Sequence, residues 1–246
     1  MARSKSKPTP RTFVFLGPSL PLAAARALLP DATYLPPVQM GDVYRLVRHH
    51  RPARLALIDG YFERVAAVWH KEILYALERG VEVWGASSMG ALRAAELHVL
   101  GMRGVGRVFA DYRAGRLVDD DEVAIAHGPA ELGYPRFSEA MVNLRHGLER
   151  AHAAGIITAR QHDRLVALAK STFYRDRTWD GLLASARVPA QPRAALADFV
   201  ARTAPDLKAA DARALLRRLA RTRPQRPRVV EPLARTWFWH RLVETQ

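Results

Sequence analysis

The chain has 246 residues, enough for one large α/β domain with an appended helical region, and 49% of them are hydrophobic, so a sizeable core can be buried. It contains no cysteine, which excludes disulfides, thiolate metal sites, iron-sulfur ligation and any persulfide carried on this chain. Lys and Arg outnumber Asp and Glu by 38 to 24, for a net charge of +14 that favours an acidic partner, but the basic residues show no interleaving with aromatics, so nucleic-acid binding is not expected.

A basic tail through Arg11, expected to be flexible, opens the chain and holds Arg3, Lys5 and Lys7. Thr12-Phe13-Val14-Phe15-Leu16 then reads as a buried parallel strand, and Gly17-Pro18-Ser19 turns it into a helix through Leu28-Leu29. Pro36-Pro37 breaks the chain, and a helix is expected from Asp42 to His49. Leu55-Ala56-Leu57-Ile58-Asp59-Gly60 gives another buried strand with an acid at its C-terminal end. A helix from Phe62 to Glu78 leads to the strand Val81 to Trp84, and a further helix follows Ser88. This alternation predicts an α/β fold, a mostly parallel sheet flanked by helices, over residues 12–135. Gly101, Gly104 and Gly106 mark a glycine-rich loop. Helical patterns at 138–153, 158–170, 178–186, 193–203 and 208–220 make residues 136–246 a mainly helical region packed on the core, with a second basic cluster from Arg213 to Arg228. No apolar run is long enough for a membrane span and no hydrophobic signal region opens the chain, which predicts a cytoplasmic protein.

Gly85-Ala86-Ser87-Ser88-Met89-Gly90 carries the most chemistry, because a β-like run feeds through small residues into an alanine-rich helix. Ser88, with Ala86 two before it and Gly90 two after, reads as a small-x-Ser-x-Gly variant of a nucleophile elbow, where helix N-terminal amides can stabilise an oxyanion. Ser87 and Ser88 also suit a helix N-cap, and either could be the reactive one. Ser88 is preferred because Gly90 lets the backbone approach closely on its far side, where Ser87 has Met89. The loops Gly17-Pro18-Ser19, Asp59-Gly60 and Gly85 to Ser88 all leave C-terminal strand ends, the edge at which parallel sheets bind ligands.

Lys71, in Trp69-His70-Lys71-Glu72, could serve as a base only if burial or a nearby cation lowered its pKa. It falls half a turn from the apolar stripe Phe62, Trp69, Ile73 and Leu77, so the pattern alone gives a solvated lysine. Asp119-Asp120-Asp121-Glu122 reads as an exposed acidic loop, since consecutive extended residues point to opposite faces and no second carboxylate cluster accompanies them. Gly101-x-x-Gly104-x-Gly106 follows a helix, not a strand, and fails as a dinucleotide fingerprint. His70, His98, His127, His146 and His152 lack tight ligand spacing, so no metal is expected, although His70 or His127 could orient a catalytic group.

Phe15-Leu16-Gly17-Pro18, Pro36-Pro37 with Gly41-Asp42, Ile58-Asp59-Gly60-Tyr61-Phe62, Trp69 to Leu74, Gly85 to Leu97, Gly101 to Gly106, Asp119 to Val123 and Ser138 to Asn143 together resemble the TfuA-like family. The resemblance implies a partner of YcaO enzymes, which activate a peptide backbone amide with ATP so that sulfide replaces its oxygen and leaves a thioamide. It also implies a ThiS-like ubiquitin-fold carrier ending in a glycine thiocarboxylate, hydrolysed through a Ser-Lys pair to release sulfide. Those roles map onto Ser88 as nucleophile and Lys71 as base, with the amides of Met89, Gly90 and Gly17 stabilising the oxyanion. Asp59, His70, Glu72 and Arg93 would orient Lys71 or hold the carrier tail, and Asp120, Asp121 and Glu122 would also contact it. No cofactor is implied. The missing cysteine agrees, because an acyl-serine route releases hydrosulfide without bonding sulfur to the protein. Lys71 can reach the Gly85 turn if its helix begins near Trp69 and that start lines the crevice. The rival reading is a non-catalytic adaptor that raises YcaO affinity for its peptide and uses Ser88 only as a cap. A general esterase is disfavoured by the lack of a His-Asp arrangement after the serine.

Overall fold

Short runs, the central three rich in Val, Leu, Phe and other apolar residues, pair side by side into one sheet: β1 (Thr12–Phe15), β2 (Thr33–Leu35), β3 (Arg54–Leu57), β4 (Glu82–Ala86) and β5 (Arg103–Val105). Every pairing is parallel, and the order is β2-β1-β3-β4-β5. The computed structural model describes residues 12–63, 65–227 and 233–244; the expected basic tail 1–11 and Arg228 lie outside the described residues.

The alternation of side chains along the strands divides the core in two. Phe13, Phe15, Leu55, Leu57 and Val83 face α2 (Asp42–His50), α3 (His70–Glu78) and α4 (Met89–Leu97). Val14, Leu16, Ala56, Ile58 and Trp84 face α1 (Leu22–Leu28) and α10 (Leu207–Ala220). Helices on both faces explain why β3 and β4 are buried at every position. Residues Met141 to Thr203 form α6 (Met141–Ala153), α7 (Ala159–Ser171), α8 (Trp179–Ser185) and α9 (Ala190–Thr203), which share a third apolar cluster around Leu144, Leu148, Leu165 and Leu196. The remaining helices are α5 (Arg107–Arg113) and α11 (Trp237–Glu244), whose Trp239 and Leu242 join the first cluster.

Helix α10 runs the height of the sheet. At its far end the carbonyl of Leu219 accepts Arg54 Nη1 at 3.0 Å, and the buried Arg54 pairs with Glu82 at 2.6 Å at the start of β3 and β4. Its first turn therefore lies at the opposite edge, where the strands end. There the chain leaves β1 for β2 on one side and later returns across β1 to β3 on the other. The loops after β1 and β3 diverge at this switch and open a crevice.

Two expectations need correction, and one strand was not foreseen. The helix predicted from Phe62 begins only at His70, because Val68 is fully buried on an extended segment and Ala66 accepts Met40 N at 2.9 Å. The glycine-rich loop contains the edge strand β5, with Gly101 and Gly106 flanking it; Gly104 sits in the strand because the ring of Phe109 lies 2.1 Å from where a Cβ would be. β2 had no signal beyond three residues before Pro36-Pro37. No helix among the described residues is long and apolar enough to cross a membrane.

Candidate functional site

The turn from β4 into α4 is made by one residue. Ser87 takes φ 70°, a left-handed conformation costly for a side chain with a Cβ, and Ser88 N–H closes back on Ala86 O at 2.8 Å. Ser88 thereby becomes the N-cap of α4. The helix start is pressed onto the sheet through two glycines: a Cβ on Gly90 would lie 1.8 Å from Leu57 O, and one on Gly85 1.9 Å from Gly90 O. Gly90 thus does what its place in the motif suggested, a close backbone approach on the far side of Ser88.

The two serines differ in where they point. Ser87 is fully buried, its hydroxyl has no hydrogen-bond partner among the described residues, and it does not line the cavity. Ser88 lines a cavity of about 100 Å³ in the crevice at the β1/β3 switch, and its hydroxyl makes no hydrogen bond among the described residues. Pro18 from the β1 loop, Asp59 and Gly60 from the end of β3, and Met89 from α4 share that wall, so three predicted loops do converge. The segment Val123 to His127 roofs it, and Tyr174 and Arg175 stand with Phe62 on its other side.

Asp59 fastens the floor. Its carboxylate accepts Gly17 N at 2.9 Å, Ser19 N at 3.1 Å and Ser19 Oγ at 2.6 Å, joining the β1 and β3 loops. The Gly17 amide is therefore engaged, and the Gly90 amide donates to Ile58 O at 3.3 Å, so neither is free for an oxyanion. Met89 N–H alone of the three expected donors remains without an acceptor among the described residues, at the positive end of the α4 dipole.

Lys71 is not brought to Ser88. Its helix does begin beside Trp69, yet the amine donates to Thr236 Oγ1 at 2.6 Å and Ala234 O at 3.0 Å, tying down the segment before α11, and it does not line the cavity. His70 and Arg93 meet at Glu96, at 2.8 and 2.6 Å, in a surface cluster. Glu72 is fully buried and serves the backbone, accepting Tyr44 N and Trp69 N at 3.2 Å each. Burial pushes its carboxyl pKa up against those hydrogen bonds.

The acidic run is exposed only in its first half, at Asp119 and Asp120, and Asp120 to Glu122 form a single helical turn. Glu122 is buried and takes Arg145 in two bonds of 2.9 Å, while Asp121 pairs with Lys170 and with Arg177. Burial would raise the Asp121 pKa, but the hydrogen bonds from Lys170 and Arg177 outweigh it and hold the carboxyl below its ordinary range. Asp119, Asp121 and Glu122 lie close enough to share a cation, and the Lys170 ammonium already sits on all three. Asp120 alone of the run lines the cavity.

Sequence reasoning missed Lys208. It sits in the first turn of α10, is 1% exposed and lines the same cavity as Ser88. Its Nζ donates to Val123 O at 2.7 Å and forms no ion pair among the described residues. Burial drives its pKa down to about 8, with Asp59 opposing and Arg136 assisting. The signal was present: Lys208 lies four, seven and eleven residues before Ala212, Leu215 and Leu219, on the buried stripe of its helix. Arg136 was also missed; it reaches Pro18 O at 2.8 Å and Asp206 at 2.7 Å, clamping the β1 loop to the start of α10.

Residues 59–178 match the family model described as TfuA-like protein. That stretch includes Asp59, the Ser88 elbow and the cavity roof, and ends before α10. No curated protein matches the chain.

Proposed function

This chain belongs to the TfuA-like family, and we propose that it is an acyl-type hydrolase that releases sulfide from a thiocarboxylated ThiS-like carrier for YcaO-dependent thioamidation of a peptide backbone. One observation carries the hydrolase: a serine hydroxyl without a partner among the described residues, at the N-terminus of α4, lining a cavity at the switch point of a parallel sheet.

Ser88 Oγ attacks the carbonyl carbon of the terminal thiocarboxylate, and its proton passes to a neighbouring base. The proton then goes to sulfur as the C–S bond breaks, and hydrosulfide leaves. The free Met89 amide, at the positive end of α4, faces the charge that develops on oxygen. Water attacks the acyl-Ser88, the carboxylate departs, the hydroxyl is restored, and the proton released converts hydrosulfide to hydrogen sulfide. In sum, a thiocarboxylate and water give a carboxylate and hydrogen sulfide, with no sulfur bonded to a chain that has no cysteine.

The adaptor reading has its own support in Trp237 and Phe238, 66% and 65% exposed beside a buried Trp239, an aromatic surface suited to a protein partner. The two roles separate in one experiment. Hydrogen sulfide release from a thiocarboxylated ThiS-like protein is measured for the native chain and for folded Ser88→Ala. Loss of release in the variant supports the hydrolase; equal release refutes it, and no release by the native chain leaves the adaptor role in its place.

A further inference from the structure

We propose that the protein binds a small oligophosphate in a second cavity, at the edge of the sheet opposite the Ser88 crevice. This cavity holds about 660 Å³, within the range of about 300–1,000 Å³ of small-ligand pockets. It opens where α2 and α3 end and the chain enters β3 and β4, and it shares no residue with the crevice. Arg48, His49 and Arg51 come from the end of α2, and Arg79 from the end of α3.

Three arginines and no carboxylate line this cavity, and none of the three guanidiniums makes an ion pair or a hydrogen bond among the described residues. The acids on the adjoining elements are already taken, Glu78 by Arg235 at 2.8 Å and Glu82 by Arg54 at 2.6 Å. Arg226 borders the same surface: its Nε lies 3.1 Å from where a Cβ would stand on Gly80, the residue after Arg79. Helix C-termini attract cations, and that accounts for part of the cluster. Each helix end carries about half a negative charge, so the ends of α2 and α3 together offset about one of the four positive charges. About three remain uncompensated, a surplus that suits a chain of phosphates and exceeds what one carboxylate would neutralise.

Two features turn this charge into a site. The Arg79 guanidinium lies over the ring of the buried Tyr75, 5.1 Å from its centroid, so the aromatic face supports it. Arg51 caps α2 at φ 46°, a left-handed conformation that glycine would adopt without strain. An arginine held there with no partner in the fold is accounted for by a ligand. Guanidinium N–H pairs meet phosphate oxygens two at a time, which favours arginine over lysine for this recognition.

Isothermal titration of the full chain with inorganic tripolyphosphate, at about physiological salt, tests the site without reference to Ser88. The native chain should bind one equivalent in the micromolar range. Arg51→Gly should weaken binding about tenfold while melting no lower than the native chain, because it removes a charge and relieves the strained backbone. Arg48→Gln combined with Arg79→Gln should abolish binding. Arg160→Gln combined with Arg193→Gln removes as much charge from α7 and α9 and should leave binding unchanged. ATP binding as tightly as tripolyphosphate would mark the occupant as a nucleotide, and tripolyphosphate binding alone would mark it as a free phosphate chain; both support the site. No binding by the native chain, native affinity in Arg51→Gly, equal loss in the α7 and α9 control, or tighter binding of hexaglutamate than of tripolyphosphate overturns the inference.

Discussion

Replacing Lys208 by methionine should stabilise the protein at neutral pH. The amine titrates at about 8 in the folded chain against 10.5 for an ordinary lysine. Each unit is worth about 1.4 kcal/mol, so keeping Lys208 charged in the fold costs about 3 kcal/mol at neutral pH. Its folded pKa is depressed, so the penalty is complete below pH 8, fades between 8 and 10.5 and is absent above. Methionine removes the charge and keeps the length, but leaves Val123 O without its donor, which costs about 1 kcal/mol. The net gain is about 2 kcal/mol at pH 7, or roughly 4–8 °C in melting temperature for a chain of this size. Calorimetric melts of both proteins at pH 7 and at pH 10.5 measure it. The gain should shrink to zero or reverse at the higher pH. A variant no more stable than the native chain at pH 7, with a difference that does not change with pH, would refute the burial account of Lys208.

Ser87→Gly should raise stability by about 1 kcal/mol, since it relieves φ 70° and removes an unpartnered buried hydroxyl, and should leave hydrolysis intact; lost hydrolysis would make Ser87 the nucleophile. Gly90→Ala should cost about 2–3 kcal/mol in chemical denaturation and disable the site, because its Cβ would meet Leu57 O at 1.8 Å; an unchanged midpoint contradicts that packing. Lys71→Ala should hydrolyse normally but become sensitive to limited proteolysis near Ala234 to Thr236, and resistance equal to the native chain would show that the tether does nothing.

The parallel sheet and its crevice were legible because β1, β3 and β4 are largely apolar runs leading into Gly17, Asp59 and Gly85, signals that local pattern carries. β5 was not, because its glycine answers to Phe109, a contact that no strand pattern encodes. The serine elbow was legible for the same local reason: Gly90 stands where the helix must touch β3. The lysine of the cavity was harder. Lys71 was close in sequence but engaged by residues more than 160 positions away, whereas Lys208 lines the same cavity as Ser88 only because α10 crosses the sheet. The acidic run looked solvent-exposed because its cations, Arg145, Lys170 and Arg177, lie on later helices and loops. Long-range pairing of charges leaves no periodic trace, and those were the features that required the fold.

The most direct test of acyl transfer at Ser88 is intact-mass spectrometry of the protein quenched in acid shortly after mixing with a thiocarboxylated ThiS-like carrier, followed by peptide mapping. Native protein should carry a transient ester to the carrier's C-terminus on the peptide holding Ser88, and Ser88→Ala should carry none. Hydrogen sulfide release with no covalent adduct at any quench time, or an adduct that persists in Ser88→Ala, would contradict it.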